Sequence, residues 1–406
     1  MNIKYFDNER IILNNNQTND FSQSSDNKIN EKYQNGEIRI VTEQARYPLN
    51  SISRMIESGN YILHPEFQRR PRWDRKKQSL LIESFIMNVP IPPIFLYETE
   101  FSYYEVMDGL QRMTAILDFY EDKFALIGLE YWKELEGRKY STLPDKVRKG
   151  IDRRYLSSII LLNETAKSRE QAEKLKQLVF ERINSGGVKL EPQESRNAFF
   201  PGAFNDLTIR LARNQYFCSI FNIPPSQIDG DSIRNEGDDE DNPNSNVIYN
   251  TMKDVELVLR FFAMRHITLF EDMSLKSFLD CFLKEANKFD YQVLLNYEKL
   301  FNDTIELVYK IYGSDAFRLW KYNKVKKDWV LYSRPAIVLY DPIMFVISQM
   351  LDKSRILIEK KKDILNSTKK FHMENEDKFN GRNTNRSNMI ERIEIVEKYF
   401  NNIVNA

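Results

Sequence analysis

The sequence predicts an α+β protein, a mixed N-terminal domain followed by a mostly α-helical C-terminal one. Short β-prone runs such as Ile94-Phe95-Leu96-Tyr97 alternate with helical stripes in the first half. Apolar residues spaced i, i+3, i+4, i+7 dominate the second half, and a polar, acidic stretch from Asp229 to Asn246 separates the two. A chain of 406 residues exceeds one small core, so about two to three domains are expected.

Composition narrows the function classes. Lys+Arg and Asp+Glu both count 59, so net charge points to no polyanion partner, and only local patches could supply one. Mean hydropathy is −0.55 and no apolar run approaches the roughly 18 residues of a membrane span, so no membrane partner is expected. The segment Met1-Asn2-Ile3-Lys4-Tyr5-Phe6-Asp7 lacks a basic-then-apolar signal pattern, and Cys218 and Cys281 are the only cysteines. Both features fit a reducing cytoplasm.

Taken in order, residues 12 to 36 are rich in Asn, Gln, Ser and Asp and bury too little to offset ordering entropy, which predicts a flexible arm over 1–46. Next comes Phe67-Gln68-Arg69-Arg70-Pro71-Arg72-Trp73, then a helical stripe of Ile82, Phe85, Ile86 and Val89. Pro90-Ile91-Pro92-Pro93 ends that helix and forces extended geometry, so Ile94 to Tyr97 is a strand. Six basic residues between Arg69 and Lys77 face only Asp74; a polyanion could dock there, or the run is a solvated helix start.

The second segment, Tyr103-Tyr104-Glu105-Val106-Met107-Asp108-Gly109-Leu110-Gln111-Arg112, reads as strand, tight turn and helix, continued by Met113, Ile116, Leu117 and Tyr120. Asp108 is expected as N-cap, with Gly109 allowing close backbone approach. A helix N-terminus offers unpaired N–H groups to a phosphate. Arg112 in the first turn opposes the helix dipole unless an anion binds, and its fork matches phosphate oxygens. The competing reading is an ordinary Asp cap beside a surface arginine.

The third segment runs from Leu175 through Arg182-Ile183-Asn184-Ser185-Gly186-Gly187. Leu175, Leu178, Val179 and Arg182 share one stripe, so Arg182 is expected on the apolar face with a partner, either a bound anion or a carboxylate such as Glu194. Asn184 and the two glycines suit a helix end whose N–H groups form an anion nest. Pro192, Glu194, Arg196 and Asn197 then open another helix.

Beyond the acidic stretch, stripes at Val255, Val258, Leu259, Phe262 and at Ile343, Val346, Ile347, Met350 predict helices. Leu275 to Glu285, Gln292 to Tyr312 and Asn388 to Ile403 predict more, with Asn366 to Ser387 as a polar separator. Arg260 and Arg265 flank apolar stretches and are read as structural. Lys321, Lys324, Lys326 and Lys327 form a basic cluster, a nucleic-acid contact or a solvated surface.

Other chemistries find no support. His64, His266 and His372 form no pair and the cysteines no cluster, so zinc and His-metal nuclease sites are not expected. Phosphate-loop and nucleophile-elbow motifs are missing, and Pro144-Asp145 lacks the strand-borne acid and lysine of a Mg-nuclease motif. The carboxylates of Gly237-Asp238-Asp239-Glu240-Asp241 do not match the spacing of a calcium loop.

Together the three segments, FQRRPRW with LLIESFIMNVPIPPIFL, VMDGLQRMTAILDF and VFERINSGGVKLEPQESRNA, resemble the N-terminal domain of GmrSD-type restriction systems, a ParB/sulfiredoxin-like family of bacterial defence loci. The resemblance covers Tyr61 to Phe200, with a fainter continuation at Asp254 to Ala263 and Ser274 to Leu283. It implies a ParB/sulfiredoxin-like nucleotide-binding domain over 47–228, an acidic linker or insert over 229–246 and a helical domain over 247–406. The family's D-G-Q-Q-R motif reads Asp108-Gly109-Leu110-Gln111-Arg112 here, with Leu110 replacing the first glutamine. By that resemblance Asp108, Gln111 and Arg112 are the catalytic candidates. Gln68, Arg69, Gly109, Arg112, Arg182, Asn184, Gly186 and Gly187 are the nucleotide and phosphate ligands, and Asp108 is a candidate Mg2+ ligand. The expected activity is binding and hydrolysis of an NTP in a system acting on foreign DNA, with a separate nuclease or defence subunit as partner. The alternatives are a Mg-dependent nuclease using the same residues, and a non-catalytic DNA-binding protein.

Overall fold

The computed structural model describes residues 3, 5–12, 27, 30–31, 40–63, 73–162, 168–185, 191–223, 245–271, 273–379 and 385–405. The chain divides into two compact units, Gln17–Leu190 and Met1–Asn16 with Glu191–Ala406. The architecture is α+β, as expected.

The first unit is built on β1 (Thr42–Pro48), α1 (Ile52–Glu57), β2 (Tyr61–Ile62), α2 (Arg75–Met87), β3 (Ile94–Glu100), β4 (Tyr103–Asp108), α3 (Leu110–Tyr120), α4 (Asp145–Asp152), β5 (Tyr155–Leu161) and α5 (Arg169–Ser185). Its mixed sheet has the order β1-β5-β3-β4-β2. β1 pairs antiparallel with β5 from Thr42↔Leu161 to Pro48↔Tyr155, and β3 pairs parallel with β5 and antiparallel with β4. β2 lies parallel to β4 through Tyr61↔Tyr104. The core joins Ile82 and Phe85 of α2, Ile94 and Leu96 of β3, Val106 of β4, and Met113, Ile116 and Phe119 of α3.

Local chemistry fixes these elements. The Asp74 carboxylate accepts the Lys77 N–H at 2.7 Å and caps α2, which stops at Asn88 in the left-handed region. Val89, expected on the α2 stripe, therefore falls beyond the helix and is exposed. Arg75 bonds Gln78 and lies over the Phe124 ring, and Lys77 lies over Trp73, so these members of the basic run pack locally. Pro144-Asp145 opens a helix, α4, and not a strand.

The second unit contains α6 (Pro192–Phe199), α7 (Ala203–Leu211), α8 (Gln215–Phe221), α9 (Ser245–Asn250), α10 (Lys253–Met264), α11 (Leu275–Ala286), α12 (Tyr291–Tyr312), the hairpin β6 (Arg318–Asn323) and β7 (Asp328–Pro335), α13 (Ile337–Gln349), α14 (Ser354–Glu359), α15 (Lys361–Glu374) and α16 (Arg386–Asn405). Ser274 caps α11 and Asp290 caps α12 through side-chain oxygens. α13 is apolar on nearly every side, and its residues Leu339 to Ser348 are buried as a central helix requires. Arg260 of α10 pairs with Asp341 of α13 inside the core, the structural role expected of it.

Three expectations need correction. Residues 1–46 are not uniformly an arm: Glu9 is buried against Arg265, His266 and Tyr297, and Thr42 to Arg46 belong to β1. The compact division falls between Leu190 and Glu191, not at 228/229, because Arg196 of α6 bonds Asp280 and Glu256 within the helical unit. Residues 224–244, most of the acidic stretch, lie outside the described residues. The separator at Asn366 to Ser387 is in part helical, since α15 runs to Glu374 and buries Ile364 and His372.

Among the described residues no helix is long and apolar enough to cross a membrane.

Candidate functional site

The motif Asp108-Gly109-Leu110-Gln111-Arg112 joins the end of β4 to the start of α3. Gly109 is the N-cap of α3 with φ +102°, a value that L side chains rarely adopt. A Cβ there would also overlap the Ile94 side chain and come within 3.2 Å of Arg112 Nη2. The turn thus needs glycine for both conformation and space.

Among the described residues no side chain caps α3. The expected Asp108 cap is corrected: its Oδ2 instead accepts from Arg112 Nη2 at 2.5 Å, an i,i+4 ion pair. The first N–H groups of α3 have no partner within the helix, so the N-terminus keeps its donors and partial positive charge.

Arg112 is buried. Its Nη1 donates to the Pro92 carbonyl at 2.8 Å, tying the proline segment before β3 to the β4–α3 turn. A guanidinium has five N–H donors, and these two bonds use two of them. The Asp108 side chain is 38% exposed against 11% for Arg112, so the carboxylate is the accessible partner and the cation the internal one. Gln111 is half-buried in the first turn and has no hydrogen-bond partner among the described residues. Leu110, at the position of the replaced glutamine, is buried in the core and serves packing.

The other expected ligands divide. Arg182 lies in the last turn of α5 but is exposed, which corrects the prediction of a buried stripe. The stripe loses depth along the helix: Leu175 is buried, Leu178 and Val179 are half-buried, and Arg182 reaches the surface. Asn184 is within α5, and nothing of its side chain is described. Gln68, Arg69, Gly186 and Gly187 lie outside the described residues. The helix carrying Arg182 is anchored to the strand carrying Asp108, because Lys176 Nζ bonds Glu105 Oε2 at 2.5 Å and lies over Tyr97.

Sequence reasoning passed over two anchors. Glu83 of α2 is buried and accepts three successive backbone N–H groups, from Glu130, Tyr131 and Trp132, at 3.1, 2.8 and 2.7 Å. Burial alone would raise its pKa, but these bonds hold the carboxyl below its ordinary value. Arg154 donates to the Phe85 and Ile86 carbonyls at the end of α2. Neither has a local sequence signal, since the partners are more than 45 residues away.

Residues 49–201 match the family model described as GmrSD restriction endonuclease, N-terminal domain. Over this stretch the chain is similar to a GmrSD-type N-terminal domain. The match spans the sheet from α1 onward, includes the whole Asp108 to Arg112 turn, and ends just past α6. Neither a search of curated proteins nor one of solved structures returned a match.

Proposed function

We propose that the protein is a component of a restriction or anti-phage system in which the GmrSD-type domain binds, and hydrolyses, an NTP at the β4–α3 turn. We read the mixed sheet as ParB/sulfiredoxin-like, on the family resemblance. The observation that carries the functional reading is the construction of the turn. A glycine that tolerates no Cβ, an uncapped helix N-terminus and a buried arginine braced on Pro92 and Asp108 form a rigid cradle for an anion.

In this reading the phosphates lie against the first N–H groups of α3, and Gln111 contacts a phosphate oxygen or the attacking water. Arg112 holds the turn in shape and offers its remaining N–H groups. Asp108 is the exposed acid. Among the described residues no group of three or more His, Cys, Asp or Glu could hold a metal ion. Mg2+ typically binds through one or two carboxylates together with substrate phosphates, and Asp108 fits that limited role. The ion would supply charge neutralisation at the phosphates. Arg182, with Gln68, Arg69, Asn184, Gly186 and Gly187, completes the proposed phosphate shell. The system's DNA-directed step and its partner subunit belong to the same proposal, supported by the family description alone.

A thermal-shift panel of NTPs and dNTPs with Mg2+ tests this reading. Wild type is expected to shift with a selective nucleotide, and Gln111→Ala, which removes no hydrogen bond among the described residues, is expected to weaken that shift.

A further inference from the structure

The β6–β7 hairpin was one cluster of lysines in the sequence; folded, it is a built surface beside a cavity. Arg318–Pro335 holds Arg318, Lys321, Lys324, Lys326, Lys327 and Arg334 against a single acid, Asp328. Asn323 Oδ1 accepts the N–H groups of Val325 and Lys326, both at 2.9 Å, and Lys327 takes φ +50°. This shapes a tip on which Lys324, Lys326 and Lys327 are exposed. Aromatic residues interleave with the lysines: Tyr322 meets Trp329 edge-on at 6.2 Å, and Lys321 lies over the Tyr332 ring. Tyr322 and Tyr332 are 46% and 47% exposed, large rings left open to solvent.

At the base of the hairpin lies a cavity of 250 Å³ whose walls include Trp320, Leu331, Phe371, His372 and Tyr399. A dry apolar cavity of about 150 Å³ accepts benzene, so this one has room for one larger planar ring and not for a whole nucleotide. Its polar lining includes the Asp315 carboxylate, the Thr368 and Tyr399 hydroxyls, and two side chains with unfilled donors, His372 and Arg318. His372 Nδ1 accepts the Trp320 N–H at 3.2 Å, which leaves the proton of the neutral ring on Nε2. Nε2–H has no hydrogen-bond partner among the described residues. Burial pushes the His372 pKa down to about 4, so the ring is neutral at pH 7. Arg318, also in the wall, pairs with Asp315 at 2.6 Å, while its buried Nε–H has no hydrogen-bond partner among the described residues. Leu365 stands at the rim, 43% exposed.

Aromatic walls with unfilled donors suit a planar heterocycle that carries acceptors, and adjacent lysines suit the phosphates that flank it in a strand. We propose that the hairpin and this cavity form a single-strand nucleic-acid site: the tip lysines contact backbone phosphates, and one unstacked base enters the cavity against Trp320 with an acceptor toward His372 Nε2–H. This site is in the helical unit and does not depend on the assignment of the β4–α3 turn.

Fluorescence anisotropy of a labelled single-stranded DNA oligonucleotide tests it on the full chain. The comparison uses wild type, Leu365→Trp, which narrows the rim, and Lys324→Glu/Lys326→Glu/Lys327→Glu at the exposed tip, with far-UV circular dichroism to check the fold. Base stacking and phosphate contacts of ordinary size predict a loss of affinity of at least roughly tenfold in each variant, and a duplex of the same sequence should bind more weakly than the strand. Undiminished binding by Leu365→Trp would remove the base from the cavity. Binding that survives the tip variant but is displaced by free nucleosides would make this a small-molecule pocket and overturn the strand assignment. No binding by wild type at low salt would overturn the whole proposal.

Discussion

Replacing Glu9 by Gln should loosen the helical unit although the residue lies in a stretch whose composition predicts an arm. Glu9 is fully buried at its side chain and accepts from Arg265 at 3.0 and 2.9 Å, from Tyr297 at 2.7 Å and from the Phe6 N–H at 2.7 Å, with His266 Nε2 at 3.0 Å. Burial by itself would raise its pKa, but His266 and Arg265 outweigh it and hold the carboxyl at about 2, against an ordinary 4.5. At roughly 1.36 kcal/mol per pKa unit, that depression corresponds to about 3 kcal/mol of stability. The folded value is the lower one, so the contribution is complete above the unfolded pKa and is lost as pH falls from about 4.5 toward about 2. Glu9→Gln leaves the Arg265 charge buried without its counter-ion, a loss on the order of 3–5 kcal/mol. Native-state hydrogen exchange in α10, which ends beside Arg265, is the assay, with α3 in the sheet unit as the internal control. The variant should exchange faster in α10 at pH 7 and lose part of the wild type's acid sensitivity. Equal protection of α10 in variant and wild type would refute the assignment of Glu9 as an anchor.

Two further substitutions probe one unit each. Gly109→Ala combines positive φ with overlap on Ile94, so the sheet unit should lose about 2–4 kcal/mol, read as faster amide exchange in α3. Arg196→Ala removes a cation shared by Asp280 and Glu256, whose side chains are 24% and 22% exposed. A loss of about 3 kcal/mol in urea unfolding of the helical unit is expected, less than for fully buried partners, and Glu256→Gln should cost less than Arg196→Ala.

Periodicity and turn chemistry carried far in this chain. The proline segment and its strand, the strand–glycine–helix turn at Asp108 to Leu110, and the stripes of α10 and α13 were all readable, because each depends on neighbours within one or two turns. What escaped depends on distant partners. Tyr5, Phe6 and Glu9 are too few to display a period, and their partners outside this segment lie more than 250 residues away. The β6–β7 pairing was hidden behind its lysines, since charge says nothing of cross-strand register. α15 buries only Ile364 and His372 along its length, so its polar composition resembled a loop.

The site itself was legible as a motif but not as a geometry. Sequence placed Asp108 over the helix start and Arg112 toward an anion. In the fold the two side chains meet each other, and Arg112 also reaches Pro92, twenty residues back. Arg182 shows the opposite failure: stripe arithmetic gives a helix face but not the depth to which that face is covered.

The central claim is nucleotide binding at the β4–α3 turn, and the thermal-shift panel with Mg2+ on wild type, Gln111→Ala and Arg112→Ala tests it most directly. A ligand at about 100 times its dissociation constant adds roughly 2.7 kcal/mol of stability, readily resolved as a shift in Tm. The account predicts a nucleotide-selective shift in wild type that shrinks in Gln111→Ala and vanishes in Arg112→Ala. The absence of any nucleotide-dependent shift in wild type, or an undiminished shift in both variants, would contradict it.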